Sequence, residues 1–318
     1  MDFKAVRDSL RGPGALISSI FNDDLSLNAG AIESNVAAMM ARGFGKDDGF
    51  FIAPCGDGEY VSLSPEENGQ VVAAVRSASG GKLPIVAGVN SPDIRYAIRT
   101  AEEARKAGAV AVMMAPPSYY PLNPEGMVDW YERFAKAVDI GIMLYDQGYR
   151  GAFMNTGVGP KQVEMLVHIP NVVAIKHIGL FAVADQFRIL HDFADRVAYI
   201  DSSAGYTRTT SFMHGATGWV TEISTFWPEF DARYWQLIKA GKFEEAEQWM
   251  NKLAPIHHFL SDRPATSTPY QWITIAKVAL EYAGMSGGPV RPPFRELTAQ
   301  EKKPVIELLA SLGVPKGA

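Results

Sequence analysis

Cysteine is almost absent from this chain: Cys55 is its one thiol in 318 residues. No intramolecular disulfide is then possible, and no thiolate zinc cluster, which fits a reducing compartment. Long apolar runs are missing too. None reaches the ~20 residues that a membrane-spanning helix needs. The opening "MDFKAVRDSLRGPGALISSIF" has no extended apolar stretch ahead of its charges, so neither a membrane segment nor a signal peptide is expected. There is no basic excess. A net charge of −5 leaves no broad positive field for nucleic acid or a membrane surface. Metal-ligand spacing is also lacking: His257 and His258 are adjacent, so they cannot share a helix face, and a structural role is expected for them. These absences point to a cytoplasmic globular enzyme or binding domain without a metal site.

What the chain does contain is a recurring period. Short runs rich in Val, Ile and Ala alternate with amphipathic segments. The runs are "GALISSIF" (14–21), "GFFIAP" (49–54), "LPIVAGV" (83–89), "AVAVMMAP" (109–116), "IGIMLYD" (140–146), "VVAIKH" (172–177), "VAYIDSSA" (197–204) and "GWVTEIS" (218–224). Such runs suit strands buried on both faces. Between them, "SPEENGQVVAAVRSA" opens with Ser64 as N-cap and Pro65 at the first helical position. "SPDIRYAIRTAEEARKAG" repeats that opening from Ser91 and stops at Gly108, and "NPEGMVDWYERFAKAV" does so from Asn123. Strand then helix, eight times over, is the arithmetic of a (β/α)8 barrel, a TIM barrel. A doubly wound sheet would more often carry a glycine-rich nucleotide loop after its first strand, where this chain has "FNDDLSLN". The barrel is expected over residues 1–242. Residues 243–318 read as a helical C-terminal domain of three helices.

In such a barrel, function sits at the C-terminal ends of the strands. Those ends read "PCGDGE", "PPSYYP", "YDQGYRG", "KHIG", "DSSAG" and "TEIS" for strands two and four to eight. Strand six, "NVVAIK", therefore finishes on an ammonium group, Lys176, at the barrel mouth. A salt bridge or a solvent-reaching strand end would account for it. So would an amine nucleophile beside Tyr145, a phenol able to shuttle protons.

With these strand ends in view, the sequence resembles the dihydrodipicolinate synthase / N-acetylneuraminate lyase family of Schiff-base lyases over nearly its whole length. The motifs that carry the resemblance are "PCGDGEYVSLSPEE", "PPSYYP", "LYDQGYRG" and "NVVAIKHIG". It implies that Lys176 condenses with the ketone of pyruvate or another 2-oxo acid, with no metal or cofactor. Apolar walls that lower the lysine pKa would supply the free amine. Tyr145 would relay protons. Backbone N–H groups around Gly56, Asp57 and Gly58 would hold the substrate carboxylate. Tyr119 and its neighbour Tyr120 would touch substrate or reach a neighbouring subunit's site, in a homo-oligomer (dimer or tetramer).

The chain departs from the family pattern in informative places. The loop usually reads Gly-(Ser/Thr)-Thr-Gly-Glu; here Gly56 and Asp57 precede Gly58 and both hydroxyls are gone. An acid at Asp57 would repel a carboxylate unless it turned away. "GDGEYVSLSPEE" lies nearer the 5-dehydro-4-deoxyglucarate dehydratase version. Arg150, five residues past Tyr145, is a candidate for a distal carboxylate or a loop ion pair. His177 should point away from Lys176 by strand alternation. Glu222 interrupts the last strand and would pair with a substrate hydroxyl, with Arg150, or structurally. Ser202 would contact a hydroxylated chain. The reading that follows is dehydration of a 2-oxo-3-deoxy sugar acid. Alternatives are retro-aldol release or use of pyruvate, dihydrodipicolinate synthesis and, in another class, a barrel that binds a keto acid without catalysis.

Overall fold

The computed structural model describes residues 1–89, 91–117, 122–146, 158–178, 183–203, 205, 207–262 and 271–317. Tyr119, Tyr120 and Arg150 lie outside them. Eight strands form one closed parallel barrel: β1 (Gly12–Leu16), β2 (Phe50–Ile52), β3 (Ile85–Gly88), β4 (Ala111–Met114), β5 (Gly141–Tyr145), β6 (Val172–His177), β7 (Ala198–Asp201) and β8 (Gly218–Thr221). Each pairs with the next, and β8 closes onto β1. This is the expected (β/α)8 architecture.

Alternate residues of each strand enter different cores. Phe50 and Ile52 of β2, Met113 of β4 and Met143 of β5 fill the barrel interior. Phe51, Val112, Ile142 and Leu144 face the surrounding helices. A side-chain period of two on a closed sheet requires this division. The glycines of β1 and β8 make room for one large interior ring. A Cβ on Gly14 would collide with the Phe50 ring, and one on Gly218 would meet it at 3.1 Å. The N-terminal helix Phe3–Ser9 adds Val6 to the same interior, and Leu10, just after the helix, joins it.

Helix starts follow local chemistry. Ser64 caps Pro65–Ser79 in a reciprocal box with Glu67, and Asn123 caps Pro124–Ala137. The helix expected to start from Ser91 instead spans Ile94–Ala107, and its cap is Asp93, whose carboxylate accepts from the Arg95 N–H at 2.9 Å. Ser91 Oγ is engaged one step earlier, by the Asp93 N–H. The last strand also differs from its expected span. It stops at Thr221, and Ile223–Phe226 is a helical turn. Buried Asp231 draws in the hydroxyls of Thr221 and Ser224 at 2.9 and 2.7 Å, and the Ile223 N–H bonds back to Thr221 Oγ1. Glu222 thus lies on a turn just past the strand.

The C-terminal segment holds four helices among the described residues rather than three: Phe243–Met250, Ala254–Ser261, Trp272–Tyr282 and Ala299–Ser311. The first two were expected as one. Pro255 cannot donate a backbone bond one turn back, so a 3-10 turn, Asn251–Leu253, separates them. The stretch 283–298, expected as helix, forms turns and irregular chain, and the last helix starts at Ala299.

A buried charge network ties this segment to the loop after β2. Glu59, in a left-handed conformation and fully buried, pairs with Lys277 at 3.0 Å and accepts from the Arg291 N–H at 2.8 Å. The Arg291 guanidinium lies over the Phe21 ring and grips the Glu67 carboxylate with two bonds. Removing one partner of a buried pair leaves the other charge uncompensated. Lys277→Met should lower stability by about 3–5 kcal/mol in urea unfolding. Lys303→Met, at an exposed pair 3.9 Å apart, should change it by less than ~1 kcal/mol.

Candidate active site

Tyr145 and Lys176 are direct partners across β5 and β6. Both side chains face the barrel interior, and Lys176 is only 6% exposed. Its Nζ stands 3.9 Å from the centre of the Tyr145 ring, a cation–π distance. The next residue on each strand turns outward, as alternation requires. His177 is buried against the helix layer, its Nδ1 2.9 Å from Tyr199 Oη and its Nε2 3.6 Å from the Asp146 carboxylate. Burial holds its imidazole below the ordinary value, against the pull of Asp146, Asp201 and Asp185. The Asp146 N–H donates to the Lys176 carbonyl at 3.0 Å, and the Ser202 N–H to the His177 carbonyl at 2.9 Å. The three strand ends are therefore held in register around Lys176.

A cavity of about 240 Å³ opens over these groups. Leu16, Ile178 and Val220 give it apolar walls, and Asp57, Ser202 and Glu222 give it polar ones. The structure thus gathers Lys176, Tyr145, Asp57, Ser202 and Glu222 into one space. Gly56 and Gly58 flank Asp57 on the loop. Gly58 is needed there for space: a Cβ would strike the Ile17 carbonyl. Its N–H is turned inward, to the Cys55 carbonyl at 3.1 Å and to Cys55 Sγ at 3.2 Å. That engagement inside the loop argues against the Gly58 N–H as a carboxylate donor. Cys55 itself is buried, and burial with the charge of Asp57 pushes its thiol well up, so it stays protonated.

Asp57 and Glu222 both face the cavity. Burial comes first, then the charge of Asp57, and together they raise the Glu222 carboxyl to about 8. Asp57 therefore does not turn away from the site: it faces the cavity, and its charge favours the protonated form of Glu222.

Three further cavity groups escaped sequence reasoning. Arg208 opens the helix Arg208–Met213, just beyond the "DSSAG" taken as the end of strand seven. It is buried, with Nη2 donating to the Val220 carbonyl at 3.3 Å and Nη1 directed at Met250 Sδ at 3.4 Å. Its Nε lies 3.7 Å from Asp201 Oδ1 and has no hydrogen-bond partner among the described residues. His257 and Trp272 come from the C-terminal helices, with rings 6.4 Å apart. Burial, then the Arg208 charge, lowers His257 to about 4, so it is neutral near pH 7. The expected structural role of His257 thus gives way to a place in the cavity wall. Only the position of Arg208 one turn past a strand end could have flagged it; nothing in the helical pattern marks His257 or Trp272.

Comparisons with known proteins agree with this architecture. A sequence profile of the Dihydrodipicolinate synthetase family matches residues 10–312. The 4-hydroxy-tetrahydrodipicolinate synthase of Methanothrix thermoacetophila is 28% identical over 307 residues, covering 95% of this chain and 97% of that protein. A protein of Acidovorax ebreus named "Probable 5-dehydro-4-deoxyglucarate dehydratase" is 27% identical over 260 residues, covering 81% of this chain and 80% of its own. Among solved structures, YagE of E. coli K12, determined in complex with pyruvate, matches with a TM-score of 0.83 at 18% identity, covering 96% of this chain and 99% of YagE. No helix among the described residues is long and apolar enough to cross a membrane.

The raised Glu222 carboxyl has a thermodynamic signature. Unfolded, it releases its proton near 4.5; folded, it keeps it to about 8. Between those values the native state binds more protons, so stability falls as pH rises. Urea unfolding from pH 5 to 8 should show that slope, and Glu222→Gln should flatten it.

Proposed function

The chain belongs to the dihydrodipicolinate synthetase family, and we propose that it is a lyase that holds a 2-oxo acid as a Schiff base on Lys176 and dehydrates a 2-oxo-3-deoxy sugar acid. Support for the Schiff base comes from the Lys176–Tyr145 pair inside the barrel mouth. The observation that carries dehydration is the placement of Glu222, a carboxyl that burial and the charge of Asp57 keep protonated, in the same cavity as Lys176.

The steps follow from these groups. Lys176 as free amine attacks the C2 ketone, and the carbinolamine loses water to give an iminium. Tyr145 passes the proton to the departing hydroxyl. The iminium draws electrons from C3, so the C3 proton passes to the Tyr145 phenolate and an enamine forms. The enamine then expels the C4 hydroxyl, which takes its proton from the Glu222 carboxyl and departs as water. The Asp57 charge favours the return of a proton to Glu222, and the ammonium that imine hydrolysis releases at Lys176 supplies it. Water finally hydrolyses the imine and frees Lys176.

A second reading, condensation in the manner of 4-hydroxy-tetrahydrodipicolinate synthase, is favoured by relatives of that name such as the Methanothrix protein. It sits less well with a loop in which Gly56 and Asp57 replace the hydroxyl residues of that resemblance.

Two measurements test this function. Borohydride with pyruvate should inactivate the protein and add one reduced pyruvate to the peptide holding Lys176. Lys176→Arg should fold, take up no label and be inactive, because a guanidinium stays protonated. Label on another lysine, or an active Lys176→Arg, refutes the Schiff base. Product mass spectrometry on 2-oxo-3-deoxy sugar acids should then show loss of water with the carbon chain intact, and Glu222→Gln should slow that loss by ~10²–10⁴-fold. Release of pyruvate instead would assign carbon–carbon cleavage.

A further inference from the structure

We propose that Arg208 is the receptor for a second carboxylate, at the end of the substrate away from the Schiff base, so that the substrate class is a 2-oxo diacid. The proposal builds on the 2-oxo acid reading of the cavity, and it concerns a residue that no strand-end motif singles out.

The first support is the state of the guanidinium. Arginine offers five N–H donors in a fixed fork. Among the described residues two have acceptors, the Val220 carbonyl and the thioether of Met250, and sulfur is a weak acceptor. The nearest anion, Asp201, stands 3.7 Å from Nε without a hydrogen bond. The Asp201 carboxylate is already served by the Ser203 N–H at 3.0 Å and by the hydroxyls of Ser203 and Ser211 at 2.7 Å each. An arginine placed only to neutralise Asp201 would close a two-pronged pair with it. Arg208 instead keeps donor capacity at a cavity wall while only 5% exposed, where unused donors are costly unless a ligand completes them.

The second support is location. Lys176 reaches the cavity from β6, from inside the barrel. Arg208 enters from the helix beyond β7, at the side where Leu253, His257 and Trp272 of the C-terminal segment form the wall. It shares that side with Met250, which also packs on Gly205 and His257 lies beside the same glycine. A substrate bound through C2 to Lys176 extends its remaining carbons past Ser202 and Glu222 toward this wall. The charges along that path fit a diacid. Glu222 keeps its proton near neutrality, so it adds no negative charge along the path, and neutral His257 adds a hydrogen-bonding group without competing for the anion. A planar carboxylate matches the arginine fork in two parallel bonds.

Direct binding tests the proposal without relying on imine chemistry. Titration calorimetry would compare 2-oxoglutarate with 2-oxopentanoate, and 2-oxoadipate with 2-oxohexanoate, pairs of equal chain length with and without the second carboxylate. The wild-type protein should favour the diacid of at least one pair by about ten- to a hundredfold. Arg208→Gln, and Arg208→Met as a variant that suits the packing against Met250 and Trp219, should each abolish that preference while leaving monoacid affinity within about threefold. No diacid preference in the wild type overturns the proposal, whatever the variants do. So does a preference that survives in a folded variant, or a loss that falls equally on both members of a pair, which would put Arg208 at the first carboxylate or in the framework. Borohydride trapping with pyruvate on the same samples separates the two readings. Absent trapping with an Arg208-dependent diacid preference refutes the Schiff base and upholds the receptor; intact trapping without the preference does the reverse.

Discussion

A closed parallel barrel gives every strand residue one of two destinations, and the site depends on that constraint. Lys176 and Tyr145 face inward as partners, with the ammonium 3.9 Å from the ring centre. Their sequence neighbours His177 and Asp146 must then face outward, where they meet Tyr199 and the Val158 N–H. A slip of one residue in the pairing of β5 with β6 would exchange the two sets and move the lysine out of the cavity. Packing resists such a slip, because the interior is matched to particular shapes, with the Phe50 ring seated against Gly14 and Gly218.

The second organising feature is the way the C-terminal segment completes the cavity. Leu253, His257 and Trp272 are wall residues over a barrel whose catalytic candidates all come from strand ends. The same segment reaches the loop after β2 through Lys277 and Arg291, both on Glu59. Asp57 lies two residues before that anchor. Loop position, and with it the place of Asp57 in the cavity, is thus coupled to the docking of a segment more than two hundred residues away in the chain. The anchoring is also steric, since the turn at Gly58 presses on the Ile17 carbonyl and accepts a bond from Ser19.

Much of this was legible in the residues. The alternation of Val- and Ile-rich runs with capped helices identifies the barrel, and the reciprocal box of Ser64 and Glu67 is visible as letters three apart. Lys176 and Tyr145 are legible because strand ends of a barrel converge. Errors arose where a distant partner decides the local outcome. The final strand was read through Ser224, but Asp231 recruits the hydroxyls that turn the chain at Thr221. Ser91 and Asp93 are equally good caps by composition, and their mutual bond selects the second. The segment expected as one long C-terminal helix is two, because Pro255 removes a backbone donor.

The sequence by itself determined the barrel, the family, and which lysine and tyrosine stand at its mouth. These rest on periodicity and on the order of strand ends, which are properties of local chain and topology. Only the tertiary structure decided the electrostatics of the cavity. That the charge of Asp57 raises Glu222, that Arg208 lines the same cavity with its Nε unmatched among the described residues, and that His257 is held neutral are consequences of burial and of groups brought together from β2, β8, the helix beyond β7 and the C-terminal segment. Charge energies depend on distance and on exclusion of water, and a linear sequence specifies neither until the chain has packed.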